Sequence, residues 1–158
     1  MKILLLFSVI LFFTSPKIYG QEIELKSNAD VKFHLMNEKA QQGTSVQHTV
    51  KEASINTDDI LTVQVYKNPN SPYPDDSFGL LFRLKQSGTN KLDSLASKNP
   101  GQYLTLRSHG HTFNSKRLGS EFSGEWLLWN ASLTEIMAKK WLNHITGEEL
   151  LPDPFREK

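Results

Sequence analysis

The residues with the clearest chemical potential are His109 and His111, separated only by Gly110. A His-x-His on a continuous strand puts both rings on one face and can begin a zinc site. Here the intervening glycine reads as a hairpin tip, so a solvated turn is the expectation, and no third ligand stands nearby in sequence. The alternative left open is a small secreted metal-dependent hydrolase using His109 and His111. His144 falls on the apolar face of a helix and is expected as a satisfied, partly buried histidine. Asp58-Asp59 and Asp75-Asp76 are adjacent acids at a helix start and in a loop, so their carboxylates do not converge as a glycosidase pair would. The chain has no cysteine and no Gly-x-Ser-x-Gly, which removes the common activated nucleophiles. Asn130-Ala131-Ser132 has the form of a glycosylation acceptor, but Ser132 is better used as a helix cap. The sequence therefore assigns no catalytic residue, no metal and no cofactor.

Aromatic and basic residues on strands carry the other signal. Trp126 and Trp129 lie three apart in the short strand WLLWN (126–130), so they point to opposite faces. One serves the core and the other is left on an open face or an edge. Elsewhere the strands alternate. The inward set is Val31, Phe33, Leu35, Leu61, Val63, Val65, Phe78, Leu80, Phe82, Leu84, Leu104 and Leu106. The outward set is Lys32, His34, Met36, Thr62, Gln64, Tyr66, Leu81, Arg83, Tyr103, Thr105 and Arg107. Tyr, Trp and Arg carry large shares of interface energy. His34, Tyr66, Arg83, Tyr103, Arg107, Trp126 and Trp129 are therefore the candidate binding residues.

The elements that must position them centre on Phe78 to Ile145. FGLLFRLK (78–85) has the period-two pattern of a half-buried strand. NKLDSLASKN (90–99) puts Leu92, Leu95 and Ala96 on one helical face, and Asn99-Pro100-Gly101 stops it. Residues 101–122 form a strand that turns near His109-Gly110 and returns. SLTEIMAKKWLNHI (132–145) places Leu133, Ile136, Met137, Trp141, His144 and Ile145 on one face, with Ser132 and Glu135 as a capping box. Upstream, IELK (23–26), VKFHLM (31–36), LTVQVYK (61–67) and, more weakly, VQHTVKE (46–52) read as strands. Ile55–Ile60 reads as one turn capped by Thr57. Two late helices can cover one face of a sheet and not both. The expected fold is α+β, a mainly antiparallel sheet with two helices packed on one face and the other face open.

Met1–Gly20 has a basic Lys2 and an apolar run from Ile3 to Phe13, too short for the roughly 20 residues of a bilayer span. It reads as a secretory signal peptide cleaved after Gly20. The expected organisation is a signal peptide at 1–20, an α+β domain at 21–146 and a loose tail at 147–158. Cleavage takes Lys2 and Lys17, so basic residues fall from 18 to 16 against 17 acidic, a net charge of −1 on 138 of the 158 residues. That length suits one domain with a real core. The near-neutral balance argues against nucleic acid and acidic lipid. It counts against stacking of a single strand on Tyr66 and Tyr103. The expected product is periplasmic or secreted, with no stable membrane insertion after cleavage.

In their order these elements resemble the head subdomain of the first periplasmic region of SecD and SecDF, export-assisting membrane proteins. ADVKFHLMNEK (29–39) resembles that family's first strand, and Asn56–Ile60 its short turn before the sheet. FGLLFRLKQSGTNKLDSLASKNPGQYLTL (78–106) resembles its strand, helix, Asn-x-Gly step and next strand. Ser108-His109-Gly110 sits where the family has an Asp-Gly hairpin turn. LGSEFSGEWLLWNASLTEIMAKKWLNHI (118–145) resembles its glycine-containing loop, strand and last helix, with the double glycine reduced to Gly119 and Gly124. The pattern spans nearly all of the expected mature chain. It contains no catalytic signature, and the family's membrane helices and base subdomain have no counterpart, so proton-driven pulling is not expected. The resemblance implies a non-catalytic, polypeptide-contacting envelope module, accessory to protein export or envelope assembly, whose partner is a polypeptide or envelope protein.

Overall fold

A computed structural model describes residues 20–36, 53–119, 122 and 124–151. The expected signal peptide up to residue 19, the polar loop and weak strand over 37–52, and the tail from 152 lie outside the described residues.

The fold is α+β and its strand pairing is antiparallel throughout the described residues. In chain order the elements are β1 (Ile23–Glu24), β2 (Lys32–Leu35), β3 (Ile55–Asn56), β4 (Ile60–Lys67), β5 (Phe78–Leu84), α1 (Gln86–Lys98), β6 (Tyr103–Ser108), β7 (His111–Arg117), β8 (Trp126–Leu133) and α2 (Glu135–Thr146). Among the described residues the strands divide between two four-stranded sheets, ordered β1-β4-β5-β8 and β3-β2-β6-β7. Helix α2 packs on β4, β5 and β8 of the first sheet, and α1 packs on β3 and β5.

The inward faces of the two sheets meet. Phe33 of β2 stands edge-on to Phe82 of β5, with ring centroids 5.3 Å apart, and to Trp129 of β8 at 5.0 Å. Edge-on rings at this spacing add to the burial itself. Around them Val31, Ile55, Val63, Leu80, Leu92, Leu104, Leu106, Leu127 and Ile145 are buried in the same cluster. Most of the expected inward set is therefore in the core. Leu61 is not. The β4–β5 register shifts between Ile60 and Thr62, so Ile60 turns inward and Leu61 is left 39% exposed. A bulge adds one residue and reverses the alternation locally.

The last helix also starts later than its sequence suggests. Strand β8 runs through Ser132 to Leu133, which pairs with Phe78. Ser132 bonds Asn130 Oδ1 through both its backbone N–H and its hydroxyl, and so is not a helix cap. Thr134 caps α2, accepting from the Met137 N–H at 3.2 Å. The buried face becomes Ala138, Trp141, Leu142 and Ile145, a 3–4 repeat, while Ile136 and Met137 face solvent. The upstream turn is capped by Asn56 rather than Thr57. Asn56 accepts from Asp58 N–H, and Asp59 accepts in return from Asn56 N–H.

Gly79 is required by β8. A Cβ there would lie 1.4 Å from the carbonyl oxygen of Asn130, itself at φ 50. The approach sits where the β5–β8 register shifts between Phe78 and Leu80.

The junction of the sheets makes a direct test. Phe82→Ala removes a fully buried ring that Phe33 leans on, and should destabilise the protein by about 3–5 kcal/mol in urea unfolding. A loss under about 1 kcal/mol would place Phe82 outside the core.

Candidate functional site

The expected binding residues do not share one face. Within the first sheet, Thr62, Arg83 and Trp126 are successive partners across β4, β5 and β8, and Tyr66 pairs with Gly79 on the same side. Arg83 lies over the Trp126 ring, its guanidinium carbon 5.4 Å from the centroid, and reaches Glu125 at 3.4 Å. Both Arg83 and Trp126 are half-buried. His34, Tyr103 and Arg107 lie instead on the outer face of the second sheet, where Lys32 pairs with Arg107 and His34 with Thr105. Arg107 and Tyr103 are half-buried, while His34 is 8% exposed.

Two residues leave the candidate set. Trp129 is fully buried against Phe33, and its indole N–H donates to Asn114 Oδ1 at 2.6 Å, so it belongs to the core. His34 is buried rather than presented. The outer faces are also less open than the alternation suggests, since Thr62, Gln64, Leu81 and Thr105 are all buried. Thr62 donates to Glu22 Oε2 at 3.1 Å. Gln64 is 1% exposed, and neither its amide nitrogen nor its amide oxygen has a partner among the described residues.

The histidines form a second cluster. His109 and Gly110 both take positive φ, 46 and 79, which makes the two-residue hairpin loop joining β6 to β7. The turn is where the sequence puts it, with Gly110 exposed and the two histidines half-buried. Asp30 accepts from the His109 N–H at 2.6 Å and pairs with Lys32 at 2.7 Å. The His109 and His111 rings fold back onto His144 of α2, with centroids 5.3 and 5.6 Å away. Phe113 joins them, 4.9 Å from His111 and 4.6 Å from Trp141. Among the described residues His109 Nε2 and His111 Nδ1 are buried without partners, as is Ser108 Oγ.

His144 is 2% exposed and its ring is bonded at both ends. Leu151 N–H donates to Nδ1 at 2.7 Å, so Nε2 carries the proton and donates to the Ser108 carbonyl at 3.0 Å. Burial pushes this imidazole below its ordinary value of 6.5, and His109 and His111 add to that, against the Ser108 carbonyl and Asp30. Asp30 goes the same way for a different reason. Burial acts to raise its carboxyl, but Lys32 and the His109 N–H together hold it below 3.8. Nothing in the sequence pairs residue 144 with residues 108–111, because the contact joins a helix to a hairpin 36 residues away.

Among the described residues no three His, Asp or Glu side chains are placed to hold a metal ion. No described helix is long and apolar enough to cross a membrane. The described residues line surface hollows. One of about 630 Å³ lies between α1 and the loop before β8, lined by Asp93, Ala96, Ser97, Pro100 and Phe122 among others. The second, about 390 Å³, lies between Ile23, Val65 and Leu142. Neither contains a histidine of the cluster. No family model, curated protein or solved structure matches the chain.

Gln64 offers the cleanest energetic test of this region. A buried amide without partners costs about 1–3 kcal/mol. Gln64→Met keeps the volume and removes the polar atoms, so thermal or urea unfolding should show stabilisation of about that size. Destabilisation would mean that the amide is bonded in solution.

Proposed function

We propose that this chain is a non-catalytic, exported protein-binding module, similar to the SecD and SecDF periplasmic head and accessory to protein export or envelope assembly. The observation that carries this reading is the Arg83–Trp126 stack, with Tyr66 on the same side of the first sheet. A guanidinium over an indole is an anchor of the kind that dominates interfaces. It stands on paired strands, so little ordering accompanies binding. Its partner is a polypeptide or envelope protein. Charge supports a protein over nucleic acid, since the chain as a whole carries a net charge of only +1. Export rests on Lys2 followed by the Ile3–Phe13 apolar run.

The test is capture from an envelope extract with the tagged mature chain, read by quantitative mass spectrometry. Arg83→Ala with Trp126→Ala should reduce recovery of specific polypeptides by about tenfold or more. Both sites are half-buried, so the thermal midpoint of the variant is measured alongside and recovery is compared well below it. Equal recovery by the variant would remove this face from function. Loss of a hydrolytic activity in His109→Ala with His111→Ala would favour the metal-dependent enzyme instead.

A further inference from the structure

Helix α2 ends at Thr146, and Gly147 takes φ 74 as its left-handed cap. The chain then wraps back over the last turn. Gly147 N–H bonds the His144 carbonyl, and the Glu148 and Glu149 N–H groups both bond the Asn143 carbonyl. This strap brings the Leu151 N–H to His144 Nδ1 at 2.7 Å, while Leu151 packs against the core. A backbone amide can only donate, so Nδ1 must be bare for the bond to exist.

We propose that His144 is a proton-operated latch for the strap Gly147–Leu151, closed while the ring is neutral and opened when Nδ1 takes a proton. The two ends of the ring respond differently. Nε2–H donates to Ser108 in either state. Nδ1–H would confront the Leu151 N–H, donor against donor. Protonation therefore has one specific casualty, the Leu151 bond, and leaves the contact to the β6–β7 hairpin intact.

The charged and titratable surroundings are few. From the hairpin, His109 and His111 face the ring at 5.3 and 5.6 Å, and both oppose its protonation once they are charged. From the segment before β2, Asp30 favours protonation, but its carboxylate is engaged by Lys32 and by the His109 N–H. Phe113 of β7 is 5.4 Å away and uncharged. The strap itself brings Glu148 and Glu149, both exposed. Because the folded ring protonates below 6.5, the closed latch adds stability that is complete above that pH. That stability is lost as pH falls through the lower folded value.

The test uses isotope-labelled full-length protein, followed by NMR from about pH 8 to about pH 5, the range a histidine spans. The His144 ring should be the Nε2–H tautomer at the upper end. The Leu151 amide protection factor, corrected for intrinsic exchange, should fall about tenfold or more on loss of this bond. Its midpoint should coincide with that of the His144 ring. In His144→Gln, which keeps an acceptor but cannot titrate, the step should vanish. If that variant does not fold, the coincidence of midpoints in the wild type decides alone. Constant Leu151 protection while His144 titrates would overturn the latch. So would an Nδ1–H tautomer at high pH, or a Leu151 step that persists in the Gln variant.

Discussion

The contact of Phe33 with Phe82 and Trp129 is the junction on which the rest of the structure depends. It is where one four-stranded sheet meets the other. A chain without cysteine has no crosslink to hold two sheets in register, so apolar burial must do it. Trp129 also ties the layers with a directed bond, from its indole N–H to Asn114 on β7. Lys116 repeats this a few residues away, with its ammonium bonding the Leu128 carbonyl of β8 and lying over Phe122. The junction is therefore apolar in its energy and polar in its registration.

Helix α2 closes the same core from another side, and its chemistry is mixed. Ala138, Trp141, Leu142 and Ile145 are buried as an amphipathic helix requires. His144 is buried with them yet carries polar atoms at both ends of its ring, both bonded to backbone. A buried imidazole in this state must be neutral, because charge in an apolar setting is costly. Asp59 shows the opposite solution. Burial would raise its carboxyl, but Lys91, the Asn56 N–H and Ser87 outweigh burial and keep it below 3.8. Asp59, Asp30 and His144 all favour their unprotonated forms in the fold, so each links stability to acid in the same direction.

The proposed partner face follows from strand parity in the first sheet. The side of β4, β5 and β8 that does not enter the junction carries Tyr66, Arg83 and Trp126. Arg83 lies over the Trp126 ring with both residues half-buried, so each keeps part of its side chain open to solvent. The second sheet presents a different surface, with Lys32 beside Arg107 and Arg117 opposite Tyr103. Two basic-aromatic surfaces on separate sheets give the molecule two faces of similar chemistry, and the first holds the Arg83–Trp126 pair.

The sequence by itself determined the α+β class, the antiparallel pairing, the core face of most strands, the His109-Gly110 hairpin and the opposite facing of Trp126 and Trp129. These follow from local rules: period-two alternation, positive-φ turn chemistry and three-residue separation on a strand. Only the tertiary structure decided the rest. Alternation cannot reveal a bulge, so Leu61 left the inward set and Ile60, read as the end of a turn, entered the core. A capping pattern cannot show that strand β8 runs on through Ser132 to Leu133, so the start of α2 moved to Thr134. Parity assigns a residue to a face but not to a sheet, so one expected surface became two. The partners of His144 come from a hairpin and a strap that meet only when the chain is folded. Long-range contact of that kind leaves no periodic trace in the sequence, because its spacing is set by the packing of layers rather than by the repeat of any one element.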